Sequence, residues 1–112
     1  MQTSFFAKYK GENAVSLSLS KPKWYTTCRE YKKLAPSWNL LNKYKQDKDE
    51  VYYIKQYQKE ILDKLDPKQV YEELGEDAVL LCWEKSGEFC HRFIVAEWLQ
   101  DKLGIEIKEF TL

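Results

Sequence analysis

The sequence predicts a small α/β domain with a mainly parallel sheet and flanking helices, and three observations carry that prediction. Residues 78–83, Ala-Val-Leu-Leu-Cys-Trp, form an unbroken apolar run too short for a typical helix. Such a run fits a strand buried on both faces. Ile94, Val95, Trp98, Leu99 and Leu103 then recur on one helical face, and Gly104 follows where a left-handed C-cap falls. Residues 105–110 partly alternate and read as a further strand. Strand, helix and strand in this order make a C-terminal βαβ unit, right-handed by the general rule for parallel crossovers. The 78–83 strand is expected at the centre of the sheet, with 105–110 parallel to it.

The elements before that unit follow in order. Residues 2–7 read as a first short strand and 8–13, with Gly11, as a turn. Residues 14–20 alternate apolar residues with serine, a strand signal. Pro22 ends it, because proline cannot continue a central strand. The few residues between these two strands leave no room for a standard crossover, so their relative direction stays open. Helical stretches are expected around 28–34 and 39–44, split by Ala35-Pro36-Ser37, with Ser37 capping the second. Asp49 caps a helix over 50–65 whose apolar stripe is Ile54, Tyr57, Ile61 and Leu65. Asp66 at the N-cap, Pro67 at the first helical position and Gln69 three residues after the cap begin another helix. Gly75 ends it. Four strand segments with helices between and after them set the α/β class.

With 112 residues the chain is read as a single domain, 1–112. Its aromatic share, 15%, supports a packed globular core. The formal net charge of zero hides an asymmetry: residues 1–45 hold nine Lys or Arg against two Glu, and residues 46–112 nine against sixteen acidic groups. Two solvated faces explain this, and so does a basic surface for a phosphate-bearing partner. No stretch resembles a signal peptide or reaches membrane-spanning length, so a cytoplasmic protein without membrane contact is expected. Three cysteines, an odd number, point to free thiols in a reducing compartment. There is no C-x-x-C pair, repeat or low-complexity tract.

Chemistry is expected in 84–92, because ligands of parallel α/β sheets bind beyond the carboxyl ends of the strands. With Ser86 or Gly87 as helix cap, Cys90 falls in the first turn, where unpaired N–H groups and the helix dipole favour a thiolate. His91 and Arg92 add positive charge, and Glu88 opposes it. Cys82, within the buried strand, is expected to be inert. Neighbouring helical residues point about 100° apart, so His91 serves as base for Cys90 only if the helix begins later. The candidate catalytic set is Cys90 as nucleophile, Glu84 as proton acceptor, and His91. The competing role for Cys90 is a small packing residue. Arg92 at the helix start is the expected anion holder, with Ser20, Lys21, Lys23 and Tyr25 completing the pocket. Ala96 and Glu88 stand where a phosphatase-type loop needs its arginine, and no glycine-rich phosphate motif exists. Cys82, Cys90 and His91, with Glu84 as a fourth ligand, are spaced unlike common structural zinc sites, so no metal is expected. The sequence specifies neither cofactor nor oligomeric state. The leading function is therefore binding of an anionic or phosphate-bearing small ligand at the Cys90-His91-Arg92 helix start, with thiol or acid–base chemistry. The alternative is a non-catalytic module that docks nucleic acid or protein through the basic, aromatic segment from Lys21 to Lys33.

Leu80-Leu81-Cys82-Trp83-Glu84-Lys85, then Cys90-His91-Arg92 and Val95-Ala96-Glu97-Trp98-Leu99, resemble the C-terminal signature of the domain-of-unknown-function family 488. Ser18-Leu19-Ser20, Pro22-Lys23-Trp24-Tyr25 and Leu34-Ala35-Pro36-Ser37 resemble its short branch. The Cys-x-Glu and Cys-His-Arg segments are the specific part. The resemblance implies an α/β fold and a shared site at Cys82, Glu84, Cys90, His91 and Arg92. It implies no particular activity. In the short branch an arginine often follows the second strand, whereas Ser20-Lys21 stand there in this chain.

Overall fold

In the computed structural model, which describes residues 1–110, the apolar run is the middle of the sheet. The strands are β1 (Gln2–Phe5), β2 (Ala14–Ser16), β3 (Arg29–Glu30), β4 (Val79–Cys82) and β5 (Lys108–Glu109). Their spatial order is β3-β2-β4-β1-β5, and every pairing is parallel. Leu80 of β4 lies opposite Thr3 on one side and Val15 on the other. All four β4 residues are buried, as an all-apolar parallel strand requires.

The ladder fills in what the sequence leaves open and departs from it at one strand. β5 runs parallel to β4, as expected, and pairs with β1, so the C-terminal βαβ unit steps over one strand. β1 and β2 are parallel but not adjacent, because β4 lies between them. Residues 6–13 therefore return along the sheet, with Phe6 and Tyr9 packed against Ala14, Val79 and Leu81. β2 stops at Ser16, whose Oγ accepts from the Ser18 N–H at 3.2 Å and turns the chain. The departure is β3, inside a stretch that reads as helical. Arg29 and Glu30 pair with Val15 and Ser16, and the Arg29 guanidinium donates to the carbonyls of Glu73 and Leu74 at the end of the third helix. Only a short 3-10 turn, Lys32–Leu34, remains of the expected helix.

The helices are α1 (Trp38–Asp47), α2 (Glu50–Glu60), α3 (Pro67–Leu74) and α4 (His91–Leu103). Ser37, Asp49 and Asp66 each accept a backbone N–H from the helix they open, at 3.1, 3.0 and 3.2 Å. Gly75 and Gly104 close α3 and α4 with φ of 91° and 66°, values open to glycine at little cost. α2 ends at Glu60, and a 3-10 turn, Leu62–Lys64, carries the chain to Asp66. Its buried face is Tyr53 and Tyr57 rather than Ile54 and Ile61, and the Tyr57 hydroxyl donates to the Leu34 carbonyl at 2.6 Å.

The two sheet faces are covered differently. Val15, Leu17 and Leu80 join the main core with buried residues of all four helices. The other face, with Ala14, Val79 and Leu81, is closed by Phe6, Tyr25 and Cys28 from loops. The result is a two-layer α/β fold. No helix among the described residues is long and apolar enough to cross a membrane.

Candidate functional site

Side chains alternate along β4, so Cys82 shares a face with Leu80 and points toward the helices. Residues 83–89 form a loop, and α4 begins at His91. This corrects the expected cap at Ser86 or Gly87. Cys90 is itself the N-cap, with extended φ −152° and ψ 145° and no side-chain cap bond. Cys90 therefore lies outside the regular helix, where the 100° divergence of neighbouring residues does not apply. Cys90 Sγ lies 3.8 Å from His91 Nδ1. The same placement brings Cys90 against Cys82, and the two sulfurs are joined, with Cα atoms 7.3 Å apart. The expectation of three free thiols is thus overturned: Cys28 is the free cysteine among the described residues, buried on the loop face.

His91 is buried, and its Nε2 lies 2.8 Å from the Leu17 carbonyl. A carbonyl only accepts, so Nε2 carries the proton and Nδ1 presents a lone pair to the sulfurs. Burial pushes the imidazole pKa down to about 4; the Leu17 bond opposes the shift and the Arg92 charge adds to it. His91 is neutral at physiological pH.

Arg92 is fully buried, and its guanidinium is committed on every side. Nε and Nη2 grip the Glu109 carboxylate at 3.2 and 2.8 Å. Nη1 donates to the Glu84 carbonyl at 2.7 Å and to Cys82 Sγ at 3.2 Å. The sequence makes Arg92 the anion holder; in the structure its guanidinium is buried and bonded to protein groups. Glu109 also accepts from the hydroxyls of Thr3, at 2.6 Å, and Ser86. Burial pushes its pKa up, but the bonds from Arg92, Ser86 and Thr3 outweigh that and hold it below the usual range.

A cleft of about 330 Å³ opens at the carboxyl ends of β2 and β4, where a parallel sheet places its ligands. Ser18 and Ser20 border it after β2, and Trp83, Glu84, Phe89, Cys90 and His91 after β4. Trp38, Leu41, Tyr44 and Lys45 of α1 and Tyr53 of α2 form the far wall. Tyr44, Tyr53 and Phe89 touch one another, with ring centroids 5.0–5.5 Å apart. The Trp83 indole donates to the Ser20 carbonyl at 3.0 Å and ties the two strand ends together. Trp38 and Trp83 remain 62% and 53% exposed, which puts two tryptophan faces at the cleft mouth.

Of the residues singled out in the sequence, Glu84, Cys90, His91 and Ser20 border this cleft. Lys21, Lys23 and Tyr25 do not. Lys21 donates to the Tyr25 carbonyl at 2.8 Å, and Lys23 is exposed. Tyr25 is packed on the loop face, where its hydroxyl donates to the Tyr9 carbonyl and burial pushes its pKa up to about 12. In the basic segment Arg29 caps α3, Lys32 pairs with Glu30 at 3.4 Å and Lys33 with Glu73 at 3.1 Å. Sequence reasoning missed Glu109 and the wall formed by Trp38, Tyr44, Lys45, Tyr53 and Phe89.

Residues 14–103 match the family model described as the active DUF488-N3 subclade. The chain belongs to the DUF488 family. The matched span of this DUF488 member contains Cys82, Glu84, Cys90, His91 and Arg92, and Thr3 and Glu109 lie outside it. No curated protein and no solved structure matches the chain.

Proposed function

We propose that this DUF488 member binds a small ligand carrying a flat ring and an acidic group, and acts on it at the inner end of the cleft. The observation that carries this reading is the division of the cleft into two parts. One side is an aromatic wall of Trp38, Tyr44, Tyr53 and Phe89, and the other holds Ser18, Ser20, Glu84, Cys90 and His91. Rings favour offset stacking on such a wall, and a few convergent polar groups fix orientation. Lys45 is the cation bordering the cleft and takes the place first assigned to Arg92 in holding the acidic group. Glu84 is the proton acceptor, and its negative charge adds to the burial that raises the pKa of Tyr44 and Tyr53. The neutral His91 holds the floor.

Tryptophan fluorescence tests this directly. Nucleoside monophosphates and aryl carboxylates should quench Trp38 and Trp83 emission saturably. Inorganic phosphate, without a ring, should bind at least about tenfold more weakly, a difference of about 1.4 kcal/mol. Lys45→Ala should weaken the ring-bearing anions by a similar factor. Absence of saturable quenching by every ring-bearing anion at millimolar levels refutes the reading.

A second reading rests on Trp24, which is 57% exposed, stacked on Tyr25 and covered by the Lys10 ammonium at 3.8 Å from its ring centre. That is a stacking platform of the kind single-stranded nucleic acids use. The internal pairing of Arg29, Lys32 and Lys33 weighs against it. A gel shift that weakens with salt and is lost in Trp24→Ala would favour it.

A further inference from the structure

We infer that Cys82, Cys90 and His91, when the cysteine pair is reduced, form a binding site for a thiophilic divalent cation of the zinc class, with one coordination position open to the cleft. The two sulfurs and a His91 ring nitrogen lie within 4.8 Å of one another, and all three residues are buried. His91 is already oriented as metal-bound histidines are: its outer nitrogen donates to the Leu17 carbonyl at 2.8 Å, so Nδ1 is left as the donor toward the ion.

Charge is compatible with the site. Two thiolates buried together are unfavourable unless something positive joins them. Arg92 donates to Cys82 Sγ, but its charge is already offset by the Glu109 carboxylate. A divalent ion balances the two thiolates and leaves the buried cluster neutral. The backbone spacing agrees. The Cα atoms of Cys82 and Cys90 are 7.3 Å apart, beyond the span of about 4.4–6.8 Å usual for disulfides. Two thiolates on a tetrahedral ion with bonds of about 2.3 Å stand roughly 3.8 Å apart, a wider span than that of two bonded sulfurs.

The chemistry balances in two steps. Two equivalents of a low-molecular-weight thiol supply two electrons and two protons, break the Cys82–Cys90 bond and leave joined as one disulfide. The cation then displaces both thiol protons to solvent. Three protein ligands and an open fourth position are the arrangement of sites that bind water or substrate. Cys90 and His91 border the cleft together with Glu84. Water on the ion would therefore face the ring-bearing ligand with Glu84 as its proton acceptor. This last point rests on the proposed ligand reading; cation binding does not.

Cobalt titration of the full chain, reduced with a phosphine, tests the site without any ligand. One equivalent of Co²⁺ should produce thiolate-to-cobalt charge-transfer absorption in the near ultraviolet and tetrahedral bands in the visible, both abolished by equimolar Zn²⁺. Cys28→Ser should retain the spectrum. Cys82→Ser should lose about half of the charge-transfer intensity and bind at least tenfold more weakly. The diamide-oxidised protein should give no spectrum. A wild-type protein that stays colourless, or a spectrum unchanged by oxidation or by Cys82→Ser, overturns the site. Adding a ring-bearing anion should shift the visible bands. If they do not move while fluorescence reports binding, the open position is refuted and the ion site stands. If fluorescence reports no binding, the ligand reading alone fails.

Discussion

Three of the four helices begin alike and the fourth does not. α1, α2 and α3 open on Ser37, Asp49 and Asp66, whose side-chain oxygens accept backbone N–H groups. α4, the most deeply buried helix, opens on Cys90, which makes no such bond. At an exposed helix start the residue type is set by the orphan N–H groups it can satisfy. At α4 the position is occupied by a sulfur directed at Cys82 and His91, and the helix is held instead by the Arg92–Glu109 clasp in its first turn. Helices anchored by caps and a helix anchored by a buried ion pair respond differently to substitution, and that difference can be measured.

The largest effect is expected at the clasp. Glu109→Ala leaves a fully buried guanidinium without its counter-ion and should cost about 3–5 kcal/mol, read as a shift in urea midpoint. Arg92→Met should cost less, because Glu109 is partly exposed and keeps the Thr3 and Ser86 hydroxyls. Equal losses in the two variants would mean that the pair does not replace a cap in the way described.

An acid titration of the oxidised protein comes next. Native His91 stays neutral down to about pH 4, whereas in the unfolded chain it takes up a proton near 6.5. The unfolded state therefore binds more protons between these values, and stability should fall as pH drops through that window, by on the order of 3 kcal/mol. Glu109, held below the usual range, adds a loss of the same sign at lower pH. His91→Gln should flatten the urea midpoints between pH 7 and 5 and keep the steeper acid limb.

The smallest effects test the caps themselves. Ser37→Ala should destabilise by about 1 kcal/mol. Cys90→Ser, compared under reducing conditions, should go the other way and stabilise by about 0.5 kcal/mol, since a hydroxyl can cap α4 where the thiol does not. Denaturation of both variants beside the parent checks the opposite signs. A destabilised Cys90→Ser protein would show that the sulfur contributes more through packing than a cap would.

What was legible in the sequence follows the same division. β4, α3 and the end of α4 are signalled locally, by an apolar run, by Asp66-Pro67 and by Gly75 and Gly104. β3 was hidden because two residues, Arg29 and Glu30, are strand only by virtue of Val15 and Ser16 beside them. The neighbour of β5 could not be read because β1 inserts from the other end of the chain. Within the site, Cys90, His91, Glu84 and Ser20 could be named from their place after the strands. The meeting of Cys82 with Cys90 depended on the true start of α4, where a cysteine rather than a polar residue is the cap. Arg92 read as a free cation because its partner lies seventeen residues on, in a two-residue strand. The aromatic wall had one usable signal: Trp38 directly follows the Ser37 cap, in the exposed first turn where no core contact asks for it.

The carboxylate of Glu109 has a consequence for the order in which the molecule is made. It joins Thr3, Ser86 and Arg92, and its bond to Thr3 spans 106 positions. On a ribosome, Glu109 is the last of the four to be added. Until then Arg92 has no counter-ion, and the cysteine beside it sits next to an uncompensated charge. The clasp around Arg92 can therefore close only after Glu109 has been added, later than the strands and helices that frame it.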